Sequence, residues 1–381
     1  MIAHSPHFAS SAAESPVGDV FFDANPLLDK HLTGIGRYAA RLALALSKRR
    51  RVRFFAGRRE LITPRGLDWS PDQDLGRWAR RATSGRRPDL AAIPDDALGV
   101  YCCLRPSERL FRYEASVLHD FTPQVVPATH TEATRGLFNG FCAVTMKSSD
   151  VALAVSHSTK ADAAWLADFN PDRVVVAHSG PSLCVERCLH AARVPRRAEV
   201  GLVVSTLEPR KNPEFLLDWF TKSDALPDHA ELWWVGRLGW LTSRKRLRKF
   251  ECAHATRRVR FLGVVDDETL CRLYQAAGWA AYPSLYEGFG FPVVDALRHG
   301  APVLTAYHSS LREFDRPGVS FFDPCDPSTL DEAWAQLQST PLPDRAALDR
   351  DFSWDRVAST LLRAFAEPAP MLAQVRDDSA A

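Results

Sequence analysis

Short apolar runs alternate along this chain with segments whose apolar residues recur at helical spacing. That alternation predicts a doubly wound parallel sheet, and it occurs twice. In the first half, residues 19–24, 52–56, 98–103, 116–118, 151–155 and 174–177 read as strands. Residues 36–47 read as a helix with Tyr38, Leu42, Ala45 and Leu46 at its apolar positions, and residues 159–167 as one that Ser158 would cap. In the second half, residues 201–205, 232–235, 259–264, 280–282 and 303–306 read as strands. Helices are expected over 213–221, over 267–277 behind an Asp266 or Asp267 cap, and from Pro292 to the stop at Gly300. Residues 57–97, rich in Arg, Pro and Asp, give little period of either kind. The pattern breaks near 181–198, at Pro181, Pro195, Arg196 and Arg197. The expected organisation is therefore a disordered lead over 1–17, one α/β domain over 18–190, a second over 191–352, and a last helix and tail over 353–381.

Composition narrows the function classes. With 381 residues and 46% hydrophobic content the chain can bury two ordinary cores. A formal net charge of +2 argues against nucleic acid or another polyanion as a global partner. Residues 1–17 lack the apolar stretch of a secretory signal, and no run approaches the ~18 apolar residues of a membrane span. The eight cysteines form no CxxC pair, which predicts neither a zinc site nor a disulfide framework and suits a reducing cytosol.

Candidate chemistry sits just after the expected strands, where open parallel sheets bind ligands. The most informative stretch runs from Tyr282 to Leu297. Glu287-Gly-Phe-Gly is a loop able to pass close to a ligand, because Gly288 and Gly290 lack Cβ. Pro292 then opens a helix whose free N–H groups, near Phe289, Gly290 and Phe291, attract phosphate. Glu287 stands before the turn and Asp295 eight residues later, an arrangement suited to a polyol beside a phosphate. Thr206-Leu-Glu-Pro-Arg-Lys-Asn212 likewise follows a strand and precedes a helix. Arg210 and Lys211 there are either cations for a diphosphate or a solvated pair opening a helix. Thr33-Gly-Ile-Gly-Arg-Tyr38 places Gly34 and Gly36 before a helix, at a spacing too long for a dinucleotide fingerprint. Val117-Leu-His-Asp120 ends a strand. Its imidazole either enters a cleft or forms a local His-Asp pair. His157 lies in a serine-rich turn that capping explains, and His178, His299 and His308 read as isolated structural or surface residues.

Together these segments resemble the retaining glycosyltransferases of family 4, the glycosyl transferases group 1, with Glu287 matching the first glutamate of their paired motif. Asp295 stands where the second glutamate is usual. The resemblance spans nearly all of 19–366 and is tightest over 200–325. It implies a GT-B fold: two Rossmann-like domains facing across a cleft, with the last helix crossing back onto the first. It implies Glu287, His119, Arg210 and Lys211 as catalytic residues. Phe289, Gly290, Phe291 and Asp295 would contact a nucleotide-sugar donor, and Gly34 and Gly36 would line the cleft opposite it, where the acceptor enters. Neither cofactor nor metal is expected, since Arg210 and Lys211 would stabilise the departing diphosphate. Mannose from GDP-mannose is the first expectation, with a saccharide or lipid-linked oligosaccharide as acceptor in surface-polysaccharide assembly. Location is expected to be cytoplasmic, with peripheral membrane contact through Arg49-Arg50-Arg51 left open. Two other readings compete: a sugar-nucleotide 2-epimerase of the same fold, and a non-catalytic sugar-binding relative.

Overall fold

The computed structural model describes residues 16–30, 32–62, 75–84, 89–90, 93–183, 194–241, 243–256 and 258–366. Two parallel sheets organise them. The first takes β1 (Val20–Asp23), β2 (Val52–Ala56), β3 (Arg59–Leu61), β4 (Leu98–Tyr101), β5 (Tyr113–Leu118), β6 (Val151–Ala154) and β7 (Val174–Val176). Its order is β3-β2-β1-β4-β5-β6-β7, parallel except where β3 returns antiparallel beside β2. The second takes β8 (Arg197–Val204), β9 (Glu231–Val235), β10 (Val259–Gly263), β11 (Ala277–Tyr282), β12 (Val303–Ala306) and β13 (Val319–Phe322) in the order β10-β9-β8-β11-β12-β13. Both sheets reverse direction of growth beside their first strand, β1/β4 and β8/β11, and a crevice opens at such a point.

The central strands are apolar on both faces because helices cover both. Trp234 and Trp279 are fully buried in the second core, and Trp279 packs on Trp334 of the Thr329–Ser339 helix at 4.9 Å between ring centroids. Strands that the apolar runs predict agree with the structure to within a few residues. β3 and β13 were not expected, and neither were the Leu75–Ser84, Arg244–Ala255 and Thr329–Ser339 helices. The lead predicted over 1–17 falls on residues 1–15, which lie outside the described residues. Val17, by contrast, is buried, and its carbonyl accepts from Arg50 Nε at 3.2 Å.

The Trp354–Arg363 helix does cross back. Its Trp354 meets Tyr38 edge to face at 5.0 Å, and Phe365 beyond it reaches Tyr113. Arg49 donates to Asp355 at 3.0 Å and to Ser359 at 3.1 Å. The basic run considered for membrane contact is thus largely engaged inside the molecule, with Arg51 remaining exposed. No helix among the described residues is long and apolar enough to cross a membrane. The cysteine expectation fails at one position: Cys271 is disulfide-bonded, whereas Cys102, Cys103, Cys142, Cys252 and Cys325 are free. Sequence spacing could not reveal this, because a fold can bring together cysteines that no local motif pairs.

Candidate active site

The loops after β8 and β11 meet at the carboxyl edge of the second sheet. After β8, Pro209–Lys211 makes one tight turn and Asn212 adopts a left-handed conformation (φ 52°) before the next helix. That turn aims Arg210 and Lys211 at the loop after β11. The two loops are tied by the Leu285 N–H, which donates to the Arg210 carbonyl at 2.8 Å. Lys211 Nζ donates to Glu287 Oε1 at 2.5 Å and to the Tyr282 hydroxyl at 2.8 Å. Arg210 Nη1 lies 2.8 Å from the same glutamate oxygen, and Nη2 donates to Glu208 Oε1 at 3.1 Å. Ser309 and Ser310 fix the loop from below: Ser309 accepts from the Glu287 N–H, and Ser310 donates to the carbonyls of Glu287 and Phe289.

These four charges are nearly buried, which sets their electrostatics. Burial alone would raise the Glu287 carboxyl, but Arg210 and then Lys211 override it and hold the group down at about 2. Burial, then the neighbouring Arg210, pushes the Lys211 ammonium down against the pull of Glu287. Burial raises Glu208 despite both cations. Arg210 Nε is buried with no hydrogen-bond partner among the described residues. A buried donor left without an acceptor is costly, which singles this atom out within the cluster.

The first domain closes over this cluster. A Cβ on Gly288 would lie 1.7 Å from the His119 carbonyl oxygen, so only glycine lets the two backbone segments approach this closely. Gly290 has φ 128°, a second position that glycine alone adopts readily. Thr159 Oγ1 donates to both the His119 and Gly288 carbonyls. Further bonds crossing between the domains are Tyr286 to Asp162 at 2.9 Å, Trp240 to the Thr129 carbonyl at 2.8 Å, and Arg37 to Asp267 at 2.7 Å.

His119 meets the second domain through its backbone carbonyl, while its ring packs against Tyr38 and its Nε2 lies 2.7 Å from the Cys102 carbonyl. A carbonyl only accepts, so that nitrogen carries the proton, and burial favours the neutral ring. Asp120 accepts from the backbone and hydroxyl of Thr122 and so orients its own loop. Gly34 faces Phe291 across the cleft, 4.0 Å from where its Cβ would be.

Three expectations are corrected. Gly36 does not line the cleft: its missing Cβ leaves room for the Pro26 carbonyl and Leu32, a packing role. Asp295 does not face a ribose site. Both its oxygens are taken by the interdomain connection, accepting from Ser182 N at 3.0 Å, Ser182 Oγ at 2.5 Å and more weakly Leu183 N. Burial raises its pKa despite these bonds. The 157–167 helix is capped by Ser156, which accepts from the Thr159 N–H at 3.0 Å, rather than by Ser158. Phe289 points its ring into Phe291, Phe314 and Phe352, so only its backbone belongs to the site. The sequence reading missed Glu208 and Tyr282 as partners of the cations, although both stand inside the motifs it quoted. It also missed Glu313, which the fold brings to His178 from far along the chain.

Known proteins share this plan. Residues 191–351 match the glycosyl transferases group 1 family. The chain is 24% identical over 378 residues to the O-antigen chain mannosyltransferase B of Escherichia coli, covering 88% of this chain and 96% of that one. It is 32% identical over 193 residues to a D-inositol 3-phosphate glycosyltransferase of Salinispora tropica, covering 46% of this chain and 39% of that one. Among solved structures, the sucrose-phosphate synthase of Thermosynechococcus elongatus superposes with a TM-score of 0.62 at 17% identity, over 90% of this chain and 97% of that one. Anabaena HepE in complex with UDP and glucose superposes at 0.57 and 16% identity, over 91% and 98%. The chain is a glycosyltransferase of the GT-B fold, similar to family 4, and its second domain is the part that matches the glycosyl transferases group 1.

Proposed function

We propose that the chain transfers a hexose, mannose first, from a nucleotide-sugar such as GDP-mannose to a saccharide or lipid-linked acceptor, keeping the anomeric configuration. The observation that carries this reading is the buried Arg210–Lys211 pair converging on Glu287, with Arg210 Nε unpartnered. In this reading Arg210 and Lys211 bind the diphosphate and stabilise the charge that grows on it as the sugar bond breaks, work that a divalent metal does in other sites. Glu287, ionised throughout the physiological range, orients both cations and receives sugar hydroxyls. The backbone from Phe289 to Phe291 supplies N–H groups at a helix start. The acceptor enters beside Gly34, and its proton passes to the departing phosphate. The named relative in O-antigen assembly supports mannose and a polysaccharide product. Cytoplasmic location, with or without contact at the membrane face, follows from where such donors are made.

A thermal-shift screen of GDP-mannose, UDP-glucose and dTDP-glucose tests the donor, since a ligand that binds only the folded state raises Tm by mass action. GDP-mannose is expected to give the largest shift and, with acceptor, to release GDP and an α-linked product. A larger shift and faster turnover with a uridine donor would overturn the mannose assignment. A β-linked product would overturn retention.

A further inference from the structure

We propose that His157, His178 and Glu313 form a zinc-class cation site between the domains, separate from the transfer chemistry. Among the described residues this is the group of histidine, cysteine and acidic side chains placed to hold a metal ion, with one ligand atom from each lying within 4.8 Å of the others. Two imidazoles and a carboxylate are a borderline-soft donor set, of the kind that binds Zn²⁺ with one position left for water and discriminates against Mg²⁺.

The three residues come from different places. His157 opens the helix after β6, His178 follows β7, and Glu313 lies in the turn after β12 of the second domain. His178 Nε2 stands 2.7 Å from Glu313 Oε2, a bond that one ligand proton makes and that a cation replaces on binding. Glu313 is already aimed: its Oε1 accepts from the Ser158 N–H at 2.8 Å and its Oε2 from the His157 N–H at 3.1 Å. Those backbone bonds fix the carboxylate as the outer contacts of a metal site fix its ligands. The His178 ring stacks on Phe289 at 6.2 Å, which leaves it little freedom to swing away. His157 is exposed and gives the ion its route in. Because the histidines belong to one domain and the glutamate to the other, the ion binds the closed arrangement better and favours it.

The test is calorimetric titration of Zn²⁺ into the full chain after chelator treatment, with Mg²⁺ in parallel, for wild type, H157A, H178A and E313Q. One saturable zinc per chain is expected, weakened at least about tenfold in each variant, and no Mg²⁺ binding. H157A removes an exposed side chain, so it keeps the test decisive should either of the other variants fold poorly. Absence of saturable zinc binding in wild type overturns the proposal. So does zinc binding of equal strength in wild type and H157A, which would place the ion on other groups.

Discussion

The carboxyl edges of the two sheets face each other and are built oppositely. The second-domain edge gathers two cations and two carboxylates in mutual contact, all nearly buried. The first-domain edge has no such cluster: burial favours the uncharged His119 ring, which sits on a carbonyl, Asp120 is spent on its own loop, and Asp23 has its carboxyl pushed up to about 7 by burial, against its Asn25 bonds. A prepaid charge cluster suits a ligand that arrives charged, and a wall without one suits a polyol. On the function proposed above, the difference divides the work of the site by domain: one edge would hold the diphosphate, and the other would admit the acceptor.

The largest expected effect comes from breaking the charged edge. Lys211→Ala and Glu287→Ala should each lower turnover by ~10²-fold or more, the scale of losing one preorganised charge. Lys211→Ala also leaves Glu287 with Arg210 as its remaining cation, so burial then raises its carboxyl and the acid limb of the pH profile moves up. Initial rates from about pH 3 to 8 with a defined donor measure both. Wild-type rates in both variants would break the comparison at its stronger side.

Gly288→Ala tests whether the edges must touch. The added methyl would fall 1.7 Å from the His119 carbonyl, so the domains must part. Turnover should fall by about 10²-fold, because a displacement of an ångström at a reacting centre costs that much. Donor binding to the second domain should survive, read as an undiminished Tm shift with nucleotide. Loss of both together would mean that the loop itself has collapsed rather than the closure.

The charged edge was legible in the sequence, and the first-domain one much less so. Arg210, Lys211 and Glu287 stand in short motifs directly after strands, where topology fixes the direction a side chain takes. Gly36 and Asp295 misled because local pattern does not tell what packs on a residue. The Pro26 carbonyl explains Gly36, and Ser182, more than a hundred positions from Asp295, takes its carboxylate. Glu313 lay beyond reach for the same reason, its partners His157 and His178 being on another domain. Strands β3 and β13 escaped notice because their runs are short and flanked by charged or polar residues, so the period is brief.

Asp295→Asn sharpens the division from within the second domain. An amide keeps the shape but loses one acceptor toward Ser182 and Leu183, so the interdomain connection should loosen by about 1–3 kcal/mol. Chemical denaturation measures this, and the donor KM should stay near wild type. A raised donor KM at unchanged stability would instead return Asp295 to the ribose.

The smallest effect on turnover is expected at Asp23, which probes the first-domain edge through stability. Its Oδ1 accepts from the Asn25 side chain at 2.7 Å, while Oδ2 is buried without a partner among the described residues. The folded-state pKa of about 7 lies above the ordinary value of 3.8, so the native state holds a proton that the unfolded chain has already lost. The contribution is therefore fully present below pH 4 and is lost as pH rises through about 7. Asp23→Asn mimics the protonated form and should remove that pH dependence. The variant should gain about 3 kcal/mol more over wild type at pH 8 than at pH 5, read as a larger rise in Tm at the higher pH. Melting curves at the two pH values check it. A gain of equal size at both would mean that the carboxylate is not strained by burial and that the first-domain edge carries charge after all.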